Sequence, residues 1–180
     1  MSIQPIIKRL ESRGIFANSN SVFAPPSKSA VERSLKELAV VVGGVIPKDY
    51  SEFIKHFSHA ISYSKKIIKV PGAKLSSFGS DETDFGVVMG AAAGGLNVVA
   101  ATKDWHDGAY NCVSLPHHIV VGHCSAGHPF ILDVTSNGAV YYFDMWAAGS
   151  EDIDPKNFRY KIAESFTEFL ELLLEESPNA

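Results

Sequence analysis

The spacing of apolar residues changes twice along this chain, and that limits the folds open to it. From about Lys28 onward, Val31, Leu35, Leu38 and Val42 recur at i, i+4, i+7 and i+11, one stripe of a helix. Glu32, Arg33, Lys36 and Glu37 fill its wet face, and Gly43-Gly44 end it. Pro47 then opens another helix, with Tyr50, Phe53, Ile54 and Phe57 on one side. Between Lys66 and Asp144 the helical period gives way to short β-branched and aromatic runs separated by turn residues. Strands are expected near Lys66–Val70, Phe85–Met89, Asn97–Thr102, His118–Gly122, Phe130–Val134 and Ala139–Phe143. Asn137-Gly138 is a strong hairpin signal, so the last two should be antiparallel neighbours. The helical period returns at Ser165, where Ser165-Phe166-Thr167-Glu168 fits a capping box and Phe166, Phe169, Leu170 and Leu173 form a stripe. Helices, strands and a final helix imply an α+β fold: a mainly antiparallel sheet of about five to six strands, packed by N-terminal helices and a C-terminal helix.

At 180 residues the chain is one domain with at most a short extension. Residues 1–25 read as a helix (Ser2 to Arg13) and a linker, residues 26–176 as the domain, and 177–180 as a tail. Its 46% apolar and 20% charged residues are those of a folded protein. Two cysteines do not make a disulfide scaffold, and the first twenty residues lack the apolar core of a signal peptide. The mildest stretch, Val87 to Ala101, is too short and too glycine-rich to span a bilayer, so a cytoplasmic protein without a membrane segment is expected. The net charge of −4 argues against nucleic-acid binding. That charge is uneven: residues 1–70 carry eleven basic against five acidic groups, 71–150 two against seven, and 151–180 three against eight. Such a distribution suits steering of a charged partner.

Several groups invite a chemical reading. Cys112, His117, His118, His123, Cys124 and His128 lie within seventeen residues, but their spacing matches no zinc site, and the adjacent His123 and Cys124 would point to opposite faces of a strand. No metal or other cofactor is expected. Cys124 has no nucleophile motif around it. Gly90 to Gly95 lacks the Lys and Ser/Thr of a phosphate loop and reads as a loop between two strands. Trp105, among the polar residues Lys103 to Gly108, is either an exposed anchor or a lid folded over the core. The acidic run Ser80–Asp84 reads as a solvated loop able to meet a basic partner.

Four segments in order resemble the SUKH superfamily, which holds fungal cell-wall regulators of the Smi/Knr type and bacterial toxin-immunity proteins. They are Pro26-Ser-Lys-Ser-Ala-Val-Glu-Arg-Ser-Leu35; Ile46-Pro47-Lys48-Asp49-Tyr50-Ser51-Glu52-Phe53; Ile119-Val-Val-Gly122 with Pro129-Phe-Ile-Leu-Asp133 and Ala139-Val-Tyr-Tyr-Phe-Asp144; and Ile162-Ala-Glu-Ser165-Phe166-Thr-Glu-Phe169-Leu170. The resemblance spans residues 26–174. It implies a non-catalytic protein-binding domain, an immunity protein that neutralises a bacterial toxin domain such as a nuclease by direct binding. The alternatives are a regulatory scaffold of the Smi/Knr type and, further off, a small metal-dependent hydrolase using the His/Cys cluster. Interface energy concentrates on a few aromatic and charged groups. The expected contact patch is therefore Asp81, Glu82, Asp84, Asp104, Trp105 and Asp107, with Ser80–Asp84 and Lys103–Asp107 as its loops.

Overall fold

The computed structural model describes residues 3–12, 26–58, 61–72, 81–91, 97–108, 115–148 and 154–175. Its elements run α1 (Gln4–Ser12), α2 (Lys28–Val42), α3 (Lys48–His56), β1 (Ile61–Lys69), β2 (Glu82–Val88), α4 (Val98–His106), β3 (His118–His123), β4 (Pro129–Asp133), β5 (Ala139–Phe143), α5 (Met145–Ala148), a 3-10 turn (Pro155–Phe158), β6 (Arg159–Ala163) and α6 (Phe166–Leu174). The expected α+β class is what is found. All six strands form one antiparallel sheet whose spatial order is its chain order, β1 to β6.

Local chemistry sets most of the boundaries. Ser27 caps α2 by accepting from the Ala30 amide, and Gly43 ends it at φ 62°, with the Gly44 amide returned to the Ala39 carbonyl. Ser165 Oγ accepts from the Glu168 amide while Glu168 reaches back to the Glu164 amide, the reciprocal arrangement expected of the capping box, displaced by one residue. Asp49 joins two helix starts: its Oδ2 accepts from both the amide and the hydroxyl of Thr167, each at 2.9 Å. Asn137 and Gly138 both have positive φ, and β4 and β5 pair as antiparallel neighbours from Asp133–Ala139 to Phe130–Tyr142.

Register assigns the faces. Phe130 and Tyr142 share one face, where Phe130 packs on Phe169 of α6, and Phe166 meets Tyr50 and Phe53 of α3. Tyr141 and Phe143 point to the other, where Trp105 of α4 meets Phe143 with ring centroids 4.8 Å apart. Helices α2 and α4 thus lie on one side and α3 and α6 on the other, and α1 packs against α6. The α2–α3 corner wraps one end of the sheet: His117 donates to the last carbonyl of α2, Val42, at 2.8 Å, and Gly138 abuts Pro47. The opposite end is formed by the β3–β4 turn, the start of β2 and α5.

The β2–β3 pairing is short, Val87 with His123 and Val88 with Gly122. There a Cβ on residue 122 would lie 2.3 Å from the Val87 carbonyl and 2.9 Å from the Phe85 ring, so only glycine fits.

Two expectations fail here, and one strand is new. Asn97–Thr102 is not a strand: Asn97 caps α4, accepting from the amides of Val99 and Ala100 at 2.8 and 3.1 Å. Gly90 therefore leads towards a helix instead of a second strand. Strand β6 was not expected from the sequence, because its alternation of Arg159, Tyr160 and Lys161 reads as polar.

Candidate functional site

The predicted contact residues divide between the two ends of the sheet. Asp81 and Glu82 are exposed, and the half-buried Asp84 accepts from the Ser125 amide at 3.0 Å, which brings them beside the β3–β4 turn. Glu82 and Asp84 lie on β2 and not in a loop. Asp104 and Asp107 are exposed too, but they sit at the C-terminal end of α4, where His106 Nε2 donates to the His118 carbonyl at the start of β3. The length of β3, about 17 Å, separates the two pairs of ends. Trp105 corrects the expectation most sharply. It is fully buried against Phe143, its Nε1 donating to the Leu115 carbonyl at 3.4 Å, so it is a core residue on a helix and no exposed anchor.

The residue that fills the anchor's place is Trp146, 61% exposed on α5 at the same end as Asp81, Glu82 and Asp84. Sequence reasoning passed over it because its neighbours, Met145, Ala147 and Ala148, are apolar. Its backbone is pinned from below. His128 Nδ1 accepts from the Met145 amide at 3.0 Å, and Asp144 Oδ1 accepts from the Ala147 amide at 3.3 Å. The indole stands edge-on to the His128 ring at 4.9 Å, and that ring stacks on Tyr142 at 5.6 Å. An Nδ1 that accepts leaves the proton of the neutral imidazole on Nε2, which is buried with no hydrogen-bond partner among the described residues. Burial lowers the His128 pKa, against the opposing pull of the Asp144 carboxylate, whose Oδ1 is 3.5 Å from Nδ1.

The His/Cys cluster does not assemble. Cys112 lies outside the described residues. His117 and His118 are at one end of β3, and His123, Cys124 and His128 at the other. Among the described residues, no three His, Cys, Asp or Glu side chains are grouped to hold a metal. His118 is used up in a buried cluster: Nδ1 donates to the Pro116 carbonyl at 2.6 Å and Nε2 accepts from Arg159 Nη1 at 2.9 Å, which defines a neutral ring with its pKa lowered by burial. Arg159 also meets Asp133 at 3.3 Å and lies over the Tyr141 ring at 4.2 Å. Burial alone would raise the Asp133 carboxyl; hydrogen bonds from Thr135 to its Oδ1 outweigh that and hold it below the usual range. Burial brings His123 down to about 4. The Cys124 thiol is pushed up by burial, the reverse of what a nucleophile needs.

Fold and site together define an α+β domain whose titratable interior groups hold the structure and whose aromatic and acidic groups face outward at one end. Residues 25–172 match the model of the SMI1 / KNR4 family (SUKH-1), and the chain belongs to that family. No curated protein and no solved structure matches it. No helix among the described residues is long and apolar enough to cross a membrane.

Proposed function

We propose that this protein acts by binding another protein, as an immunity protein that neutralises a toxin domain, and that it performs no chemistry of its own. The observation that supports this reading is what its reactive side chains are occupied with. His118, His128 and Asp133 are buried and hydrogen-bonded to the fold, and Cys124 is a buried thiol held towards its protonated form. Family membership agrees with a binding role, and a net charge of −4 suits occlusion of a basic, nucleic-acid-binding cleft. The match to the SMI1 / KNR4 model favours a second reading, a regulatory scaffold.

Affinity capture with the full chain, followed by growth assays of the captured partner, separates the two. A captured toxin domain whose lethality is relieved by co-expression of this chain supports immunity. Capture of a non-toxic host protein supports the scaffold. Turnover of a hydrolysable substrate that is lost in Cys124→Ala or His123→Ala would overturn both.

A further inference from the structure

We propose that the open end of the sheet is a docking surface for a Lys/Arg-bearing segment of a protein partner, with Trp146 as its anchor. This rests on the protein-binding reading and gives it a place and a partner chemistry. Trp146 is 61% exposed, whereas the described tryptophan elsewhere in the chain is fully buried. A large aromatic ring in water gains free energy when a partner surface covers it. The ring is also pre-ordered. The two backbone hydrogen bonds to His128 and Asp144, and the edge-on contact with His128, fix the helix that carries it. Binding through a residue already held in place loses little further conformational freedom.

Charge selects the occupant. Among the described residues around this end, Asp81, Glu82 and Asp154 are exposed and Asp84 is half-buried, against the exposed Lys69 and Lys156, while the guanidinium of Arg159 at the start of β6 is paired with Asp133. Lys69 stands opposite Glu82 in the β1–β2 register. Asp154 caps the 3-10 turn that packs on α5, accepting from the Lys156 amide at 3.0 Å. Strands β2 and β5 are three strand spacings apart, about 14 Å. A standard interface covers about 800 Å² per partner, roughly 30 Å across, so one partner spans both the acids and the indole. An indole face and carboxylates within the span of one interface favour guanidinium and ammonium groups, through cation–π contact at the ring and charge pairing at the acids. An anionic lipid surface meets the wrong sign here.

The test is calorimetric titration of the full chain with an Arg/Gly-rich peptide, its Lys/Gly counterpart and a Glu/Gly control. Wild type is compared with Trp146→Ala, Trp146→Phe and the triple variant Asp81→Asn, Glu82→Gln, Asp84→Asn. The Asp84→Asn change keeps the acceptor for the Ser125 amide, and circular dichroism checks that each variant is folded. The cationic peptides should bind and the acidic one should not. Trp146→Ala should weaken binding about tenfold or more, Trp146→Phe less, and the triple variant should flatten the salt dependence. Equal binding to wild type and Trp146→Ala, or equal binding of acidic and cationic peptides, overturns the proposal. So does a concentration-dependent dimer abolished by Trp146→Ala, which would make a second copy the occupant. A captured partner that binds Trp146→Ala as tightly as wild type removes this surface and leaves the protein-binding reading standing. Cationic-peptide binding that depends on Trp146, in a chain that captures no protein, leaves the surface standing and removes the other.

Discussion

The chain has two tryptophans, and their surroundings in sequence and in space are reversed. Trp105 stands among Lys103, Asp104, His106 and Asp107, and it is fully buried. Trp146 stands among Met145, Ala147 and Ala148, and it is 61% exposed. The difference lies in helix phase. On α4, Val98, Ala101, Thr102 and Trp105 fall at i, i+3, i+4 and i+7 and all face the sheet, while the charged neighbours point away. Helix α5 is a single turn, held by polar groups at its base, and it has no apolar stripe to turn its tryptophan inward. Polarity of adjacent residues is thus a poor guide to burial on a helix, where neighbours in sequence point about 100° apart.

The comparison is most easily broken at Trp105. Replacing it with Ala should cost about 3–5 kcal/mol of unfolding free energy, the range for a large aromatic removed from a packed core. Urea denaturation measures this, and an unchanged midpoint would mean that the ring is not in the core. Acid gives the next effect. His118, His123 and His128 have folded pKa values below the ordinary one of about 6.5, because burial disfavours their charged forms. Below that pH the unfolded chain takes up protons that the folded chain refuses. Stability should therefore be greatest above about pH 7 and fall as pH drops through about 6.5 towards the folded values. For His123, with its folded value of about 4, the contribution is up to about 3 kcal/mol. The low Asp133 carboxyl adds a further loss in more acidic solution, as it is protonated in turn. A flat profile of urea midpoints from pH 8 to pH 4 would mean that these rings are solvated.

A smaller change sharpens the contrast on the α4 side. Asn97→Ala removes the cap that starts the helix carrying Trp105 and should cost about 1 kcal/mol in the same denaturation experiment. The smallest effect belongs to Trp146→Ala, with unfolding free energy expected within about 0.5 kcal/mol of wild type, as for an exposed side chain. A loss as large as that of Trp105→Ala would show that the two rings are not different in kind.

What was legible in the sequence follows the same division. Helices α2, α3 and α6 carry their own punctuation in Gly43, Pro47 and Ser165, and Asn137-Gly138 marks its hairpin, so these elements could be placed without tertiary knowledge. Helix α4 could not. Val98-Val-Ala-Ala-Thr102 is rich in β-branched residues, and the Asn97 cap together with burial against β3 overrides that preference. Strand β6 was hidden because it exposes Lys161 and lays Arg159 over Tyr141, so it never alternates cleanly. At the candidate site the acids of β2 were readable as exposed groups. Their companion was not, because nothing local in Asp144-Met145-Trp146 announces that the ring stays outside. Nor does spacing along the chain reveal that Asp104 and Asp107 end up a strand's length from Asp81.

The brief register between β2 and β3 is the thinnest pairing in an otherwise continuous sheet. β3, β4 and β5 are joined in succession by short turns and can zip up hairpin by hairpin at little loop-closure entropy, while β6 follows after α5 and the 3-10 turn. The β1–β2 pair meets β3 in register at Val87 and Val88 and is held besides by the Met89 amide on the Val121 carbonyl, by Asp84 on the Ser125 amide and by Phe85 on Phe130 and Phe169, across the longest connection in the sheet, which carries α4. With the fewest paired residues and the longest loop to close, this seam is where local opening is expected to cost least. Asp81, Glu82 and Asp84 ride on one side of it and Trp146 on the other. A partner gripping both would cross the seam, and would slow its opening as a clasp does.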